Sequence, residues 1–159
     1  MKVVLKTHSN EEKPIELSSS VPPAANIPCF QCGICCVRWQ PLMDSKETKR
    51  IAEELGISAR AFRRKYTRPY PPRPGSSIMK ADEKGCVFLS YSGDKALCSI
   101  HEFKPEACLD WAASLAKKEC QDGISMMTSG PLPVPEQLYD SESDQEAFNK
   151  ALEMTSRQA

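Results

Sequence analysis

The chain has no apolar run approaching the roughly 18 residues that a membrane-spanning helix requires. Its opening stretch, MKVVLKTHSNEEKPIEL, lacks the apolar segment of about 7–15 residues and the small-residue cleavage site of a secretory signal. The expected location is therefore a reducing cytoplasm. Charge of one sign is not in excess either, because 21 Lys and Arg balance 21 Asp and Glu. No net field exists to gather nucleic acid or an anionic membrane, so neither is an expected partner. Aromatic residues are only 7% of the chain, which limits an aromatic core. There is no internal repeat, no glycine-rich nucleotide fingerprint and no evident acid–base pair, and the reading leans away from an enzyme without deciding the matter. A length of 159 residues accommodates one domain with tails.

What the chain does have is cysteine. Cys29-x2-Cys32-x2-Cys35-Cys36 is followed by Cys86, Cys98, Cys108 and Cys120. Vicinal cysteines make poor disulfides, because the bridge needs a Cα separation of about 4.4–6.8 Å and a fixed dihedral. In a reducing compartment a dense cysteine pattern points to metal or catalysis before disulfides. Soft thiolates suit zinc, copper(I) and iron–sulfur clusters, and zinc or iron is the expected cofactor. All eight cysteines are thus candidate metal ligands, with the 29–36 run the strongest and Cys120 the weakest. Metal binding would also make up for a small core, since its free energy becomes folding free energy.

Cys29-x2-Cys32 is a zinc-knuckle spacing. Extended to Cys35, it matches the first three positions of the bacterial ferredoxin run, and the match ends at the adjacent Cys36. Eight thiolates suffice for two tetrahedral sites, or for one cluster and one zinc. Two zinc ions on eight thiolates leave a net charge of −4, which Arg38, Lys84 and backbone N–H groups are expected to offset. The bland alternative is that some cysteines merely pack as small hydrophobes.

Along the chain, 2–6 reads as a short strand within an otherwise flexible leader, 1–28, which includes the proline-rich stretch 18–23. Residues 29–36 read as a compact loop in which Gly33 supplies a positive φ. Asp44-x-x-Glu47 has the form of a capping box and opens a helix that Gly56 stops. Ser58 caps a second helix through Tyr66. Strands are expected over 86–89 and 96–100, joined at Ser92-Gly93-Asp94. A third helix is expected from Pro105 to about residue 118, with Gly123 ending the turn that follows. Ser143-x-x-Glu146 opens a last helix bearing Phe148, Ala151 and Leu152.

The segment Phe30-Gln31-Cys32-Gly33-Ile34-Cys35-Cys36 resembles the signature of the YkgJ-type cysteine-cluster proteins, a family described as zinc- or iron-chelating. A second block of that family resembles Cys86-Val87-Phe88-Leu89 followed by Cys98-Ser99-Ile100-His101 and Lys104-Pro105-Glu106-Ala107-Cys108. A third resembles Cys120-Gln121-Asp122-Gly123-Ile124. The resemblance spans roughly 29–125. His101, Lys104 and Leu109 stand where the family has tyrosine, arginine and arginine, which weakens any shared substrate site. The family in turn resembles part of the flagellin lysine N-methylases, which implies an iron–sulfur-dependent modifying enzyme as the alternative function.

Other features have plainer readings. His101 follows Cys98 at ligand spacing, but a packing or surface role is favoured, and His8 sits in the leader. Arg60, Arg63, Arg64, Lys65 and Arg68 read as a solvated helix face. A thiol-redox role for Cys29-x2-Cys32 lacks the surrounding βαβ pattern. The expectation is a small metal-stabilised α+β domain: a leader (1–28), a cysteine-cluster domain (29–125) with helices around a short hairpin, then a proline-rich linker and helix (126–159). It acts as a metal-chelating or metal-stabilised binding module.

Overall fold

The computed structural model describes residues 2–6, 12–16, 25–129 and 134–157; the 18–23 stretch and His8 lie outside them. The fold is α+β. A five-stranded antiparallel sheet has the order β2-β1-β3-β5-β4, from β1 (Lys2–Lys6), β2 (Glu12–Glu16), β3 (Trp39–Met43), β4 (Thr67–Pro69) and β5 (Ser77–Met79). Two small ladders add β6 (Ala81–Asp82) with β7 (Gly85–Cys86), and β8 (Leu89–Ser92) with β9 (Lys95–Cys98). The expected strand 2–6 is present. The sheet around it is larger than the hairpin anticipated from sequence, because its members are short and proline-bearing and show no alternation. Pro14 and Pro69 fall in the two edge strands, where a missing N–H is tolerated.

The described residues form two compact units. Unit 1 comprises Met1–Leu17, Cys35–Ser90 and Leu97–Trp111; unit 2 comprises Ser18–Ile34, Tyr91–Ala96 and Ala112–Ala159. Unit 1 holds the sheet, α1 from Cys35 onward (Ile34–Arg38), α2 (Ser45–Glu54), α3 (Ala59–Tyr66) and α4 (Glu106–Leu109). The capping box at α2 forms as read: Asp44 accepts the Glu47 N–H at 2.8 Å while the Glu47 carboxylate accepts the Asp44 N–H. Such a cap stabilises a helix by about 1 kcal/mol. Ser58 caps α3 by accepting the Ala61 N–H. Both helices turn their apolar faces inward, so that Met43, Ile51, Ala52, Phe62, Met79, Phe88 and Ile100 form one core. Phe62 stacks on Phe88 within it, and the basic side chains of Arg60, Arg63, Arg64 and Lys65 face solvent.

Unit 2 packs α5 (Lys118–Met127), α6 (Pro135–Leu138) and α7 (Glu142–Arg157) around Ile27, Phe30, Ala113, Leu138, Tyr139, Phe148 and Ala151. The last helix carries Phe148, Ala151 and Leu152 as expected, but its first turn is closed by Ser141, whose hydroxyl accepts the Asp144 N–H, rather than by Ser143.

Three local expectations are corrected. The helix from Pro105 stops at Leu109, because the backbone of 113–115 is taken by a β-bridge: the Ile27 N–H donates to the Ala113 carbonyl and the Leu115 N–H to that of Ala25. Tertiary backbone pairing there outweighs local helix propensity. Gly123 does not end a turn but lies inside α5, buried. The hairpin strands are shifted, with Cys86 in β7 and β8 beginning at Leu89, although the turn at Gly93 forms.

Candidate metal centre

None of the eight cysteines is in a disulfide. The cut between the units falls inside the cysteine run. Cys29 and Cys32 belong to unit 2 with Cys120; Cys35 and Cys36 belong to unit 1 with Cys86, Cys98 and Cys108.

In unit 1, α1 takes up the second half of what read as a loop and carries Cys35 and Cys36, their sulfurs 4.0 Å apart. Gly85 lets the next strand close on this helix. Its φ is +112°, and a Cβ there would stand 3.0 Å from the Cys36 carbonyl oxygen and 3.1 Å from the Val37 side chain. Cys86 follows at once. Ser99 donates through both N–H and hydroxyl to the Phe88 carbonyl, which ties the end of β9, and Cys98, to the chain just after Cys86. Cys86 and Cys98 pack on the same core cluster. Cys108 is set by α4, whose first turn is tied down when the Glu106 N–H donates to Glu47. Arg50 grips the carbonyls of Phe103 and Lys104 with its two terminal nitrogens, each at 3.1 Å.

These thiols sense one another. Hydrogen bonding with Cys35 lowers the Cys36 thiol to about 7, against burial and assisted by the Lys104 charge. Burial pushes Cys86 up to about 11, with the charges of Cys36 and Cys98 adding to it. Burial likewise raises Cys98, and lifts Cys108 to about 12 with contributions from Cys36, Cys86 and Cys98. Lys104 opposes the rise at Cys98 and Cys108. Its positive charge eases the gathering of negative charge in this group. Its signal in the sequence was its position between two cysteines. His101 is exposed on a single turn of 3₁₀ helix.

In unit 2, Gly33 has the expected positive φ of 81°. Cys32 packs against the core cluster that includes Cys120. Its sulfur is pressed onto α5 at Gly123, where an added Cβ would come 2.5 Å from Cys32 Sγ, 2.9 Å from its Cβ and 3.0 Å from the Phe30 ring. Gly123 lies one helical turn beyond Cys120, on the same face. Cys120 Sγ accepts the Ser114 N–H at 3.4 Å. Burial raises the Cys32 thiol, and the charges of Cys29 and Cys120 raise it further. Burial also raises Cys120, with Cys29 adding, while the Ser114 N–H and Lys117 oppose. Cys29 is exposed. Tyr139 donates its hydroxyl to the Pro28 carbonyl at 2.7 Å, fixing the residue before Cys29.

The donor set is the one soft thiophilic metals prefer. As the side chains stand, however, no three His, Cys, Asp or Glu among the described residues form a group that could hold a metal ion. A cleft of about 280 Å³ in unit 1 is bordered by Asp44, Glu47, Glu106 and Asp110. The Glu47 carboxylate there is already occupied, accepting from the N–H groups of Asp44 and Glu106.

An α+β chain with eight unbridged thiols in two groups is thereby placed among the cysteine-rich metal-binding domains. The family model for the CxxCxxCC domain, described as "Putative zinc- or iron-chelating domain", matches residues 28–126. That span exceeds half of the chain, and the protein belongs to this family. No curated protein and no solved structure shows significant similarity to it. Among the described residues, no helix is long and apolar enough to cross a membrane.

Proposed function

We propose that the protein is a chelating module whose eight cysteines, Cys29, Cys32, Cys35, Cys36, Cys86, Cys98, Cys108 and Cys120, provide the ligands for zinc or iron. The observation that carries this reading is the match of residues 28–126 to a zinc- or iron-chelating domain, supported by a donor set of soft thiols. Cys120 stands 91 positions from Cys29 in the numbering, yet in unit 2 the charge of Cys29 adds to the burial that raises the Cys120 thiol. In unit 1 the charge of Cys36 likewise adds to the burial that raises Cys86, Cys98 and Cys108. Bound zinc or iron would link segments that otherwise meet only through small packing surfaces, so chelation and folding support each other.

The protein's own groups have definable parts. The buried thiols give up protons on chelation, so affinity rises with pH. Lys104 and Lys117 lower the cost of gathering thiolates. The Ser114 N–H holds the Cys120 sulfur by a hydrogen bond, the kind of outer contact that orients a ligand. Arg50 fixes the backbone that leads to Cys108.

The test is elemental analysis of protein purified without oxygen, with zinc, iron and acid-labile sulfide counted per chain. Zinc without sulfide supports a structural or chelating role. Iron with matching sulfide supports a cluster and favours the modifying-enzyme alternative. A chain that carries no metal and takes none up after reduction overturns the reading.

A further inference from the structure

Apart from the thiols, we propose that α3 and the strand end beside it form a docking face for duplex nucleic acid, held by its phosphodiester backbone without reading base sequence. The face consists of Arg60, Arg63, Arg64 and Lys65 on α3 with Lys80 just after β5, all within unit 1. The balanced total charge conceals a segregated one. Between Leu55 and Ala81 there are seven Lys and Arg and no Asp or Glu, so this stretch carries +7 and the rest of the chain −7.

The helix period gathers this charge. Arg60, Arg63 and Arg64 are spaced i, i+3 and i+4 and share one side of α3. Phe62 and Tyr66 turn the other way, into the core of unit 1. Lys80 joins the face because its N–H donates to the Tyr66 carbonyl and its ammonium to the Arg64 carbonyl, each at 2.8 Å. Cations in the last turn of a helix ease its dipole, and Arg63, Arg64 and Lys65 stand there. That accounts for neither Arg60, in the first turn where a cation is unfavourable, nor Lys80, which comes from another segment. Among the described residues no carboxylate pairs with Arg60, Arg63 or Arg64, and all three are exposed.

The chemistry of the face selects its occupant. Among the described residues, no large hydrophobic side chain between 55 and 81 is exposed. A protein partner would need an apolar centre of contact. A membrane would need a free apolar helix face, which α3 has already turned to its own core. Charge alone remains, and a nucleic-acid backbone is bound by charge. Arginine forks match phosphate oxygens two at a time. At 1.5 Å per residue α3 is about 12 Å long, and a duplex carries about seven phosphate charges over that length. Single strands are held instead by bases stacked on exposed aromatic rings. Here Tyr70 is buried, and Tyr66 is half-buried with the Lys65 ammonium 5.1 Å from its ring centre. The duplex is therefore the form that fits.

The experiment titrates the full, reduced chain onto a labelled DNA duplex and onto the RNA duplex of the same sequence, with fluorescence anisotropy read from low to physiological salt. At least one duplex should bind, with log K falling against log salt at a slope of about −4 to −5 for five cations. A second, unrelated sequence should give the same affinity. Arg60→Gln, Arg63→Gln and Arg64→Gln together should bring the slope to about −2 and weaken binding about tenfold or more at low salt. Lys46→Gln, Lys49→Gln and Lys150→Gln, at exposed positions outside the face, remove the same charge and should leave the slope unchanged. Circular dichroism checks that both variants fold; if the first does not, the wild-type slope and the comparison with single strands decide. Equal losses in the two variants, tighter binding of a single strand than of either duplex, binding only to anionic lipid vesicles, or no binding at low salt overturns the proposal. None of these outcomes bears on chelation.

Discussion

Glycine inside a helix is ordinarily a weakness, and replacing it with alanine gains about 1 kcal/mol of helix propensity. Gly123→Ala is expected to do the reverse. The new methyl would sit 2.5 Å from Cys32 Sγ, 2.9 Å from Cys32 Cβ and 3.0 Å from the Phe30 ring. Only the sulfur can swing aside; the Cys32 Cβ is fixed by its backbone, and Phe30 is buried with 2% exposure. Overpacking of this kind costs up to about 3 kcal/mol, so a net loss of about 2 kcal/mol remains after the propensity gain. For a chain of this size that is a fall in Tm of about 4–8 °C. The assay is thermal unfolding of the reduced, metal-free chain followed by circular dichroism. Ser125→Ala, at an exposed position of the same helix, serves as control and should raise stability by up to about 0.5 kcal/mol. If Gly123→Ala stabilises the chain as the control does, the contact between Cys32 and α5 is wrong.

Phe148→Ala, at a fully buried position of α7, should cost about 3–5 kcal/mol in urea unfolding, whereas Met154→Ala on the outer face should be near neutral. Arg50→Lys retains charge but cannot span two carbonyls, and should lower stability by about 1–2 kcal/mol; no loss would show that the grip on Phe103 and Lys104 is incidental. The metal-free chain should also have a stability maximum near pH 9. The Cys36 thiol, lowered to about 7 from an ordinary 9, contributes stability that is complete above pH 9 and lost as pH falls through 7. Cys86, raised to about 11, contributes stability that is complete below pH 9 and lost as pH rises through 11. Urea midpoints measured across that interval check both arms, and a flat profile above pH 9 would contradict the burial of Cys86.

The helices with strong local signals were legible in the sequence. Asp44-x-x-Glu47 and Ser58 each place their own helix start, because a cap is a contact over three residues. The metal candidates were legible as a set, because thiol chemistry is carried by residue type. Their grouping was not, since it depends on which segments pair. The Asn26–Ser114 bridge, which halts the helix after Leu109, joins residues 88 positions apart, and no local pattern announces it. Gly123 was misread as a stop for the same reason. A glycine that ends a helix and one that admits a sulfur look alike until the partner is known. Lys104, noted only as a departure from the family's arginine, keeps a positive charge beside the thiols of Cys98 and Cys108.

The same bridge sets an order of assembly during synthesis. The strand partner at Asn26 is made early, but Ser114 and Cys120 are added only after every residue from Cys36 to Cys108. A nascent chain arrested before residue 113 lacks Ala113, Ser114, Leu115 and α5, so Ala25 and Ile27 have no backbone to pair with and Cys32 has no helix to pack on. Unit 2 therefore closes only when most of the chain has been made.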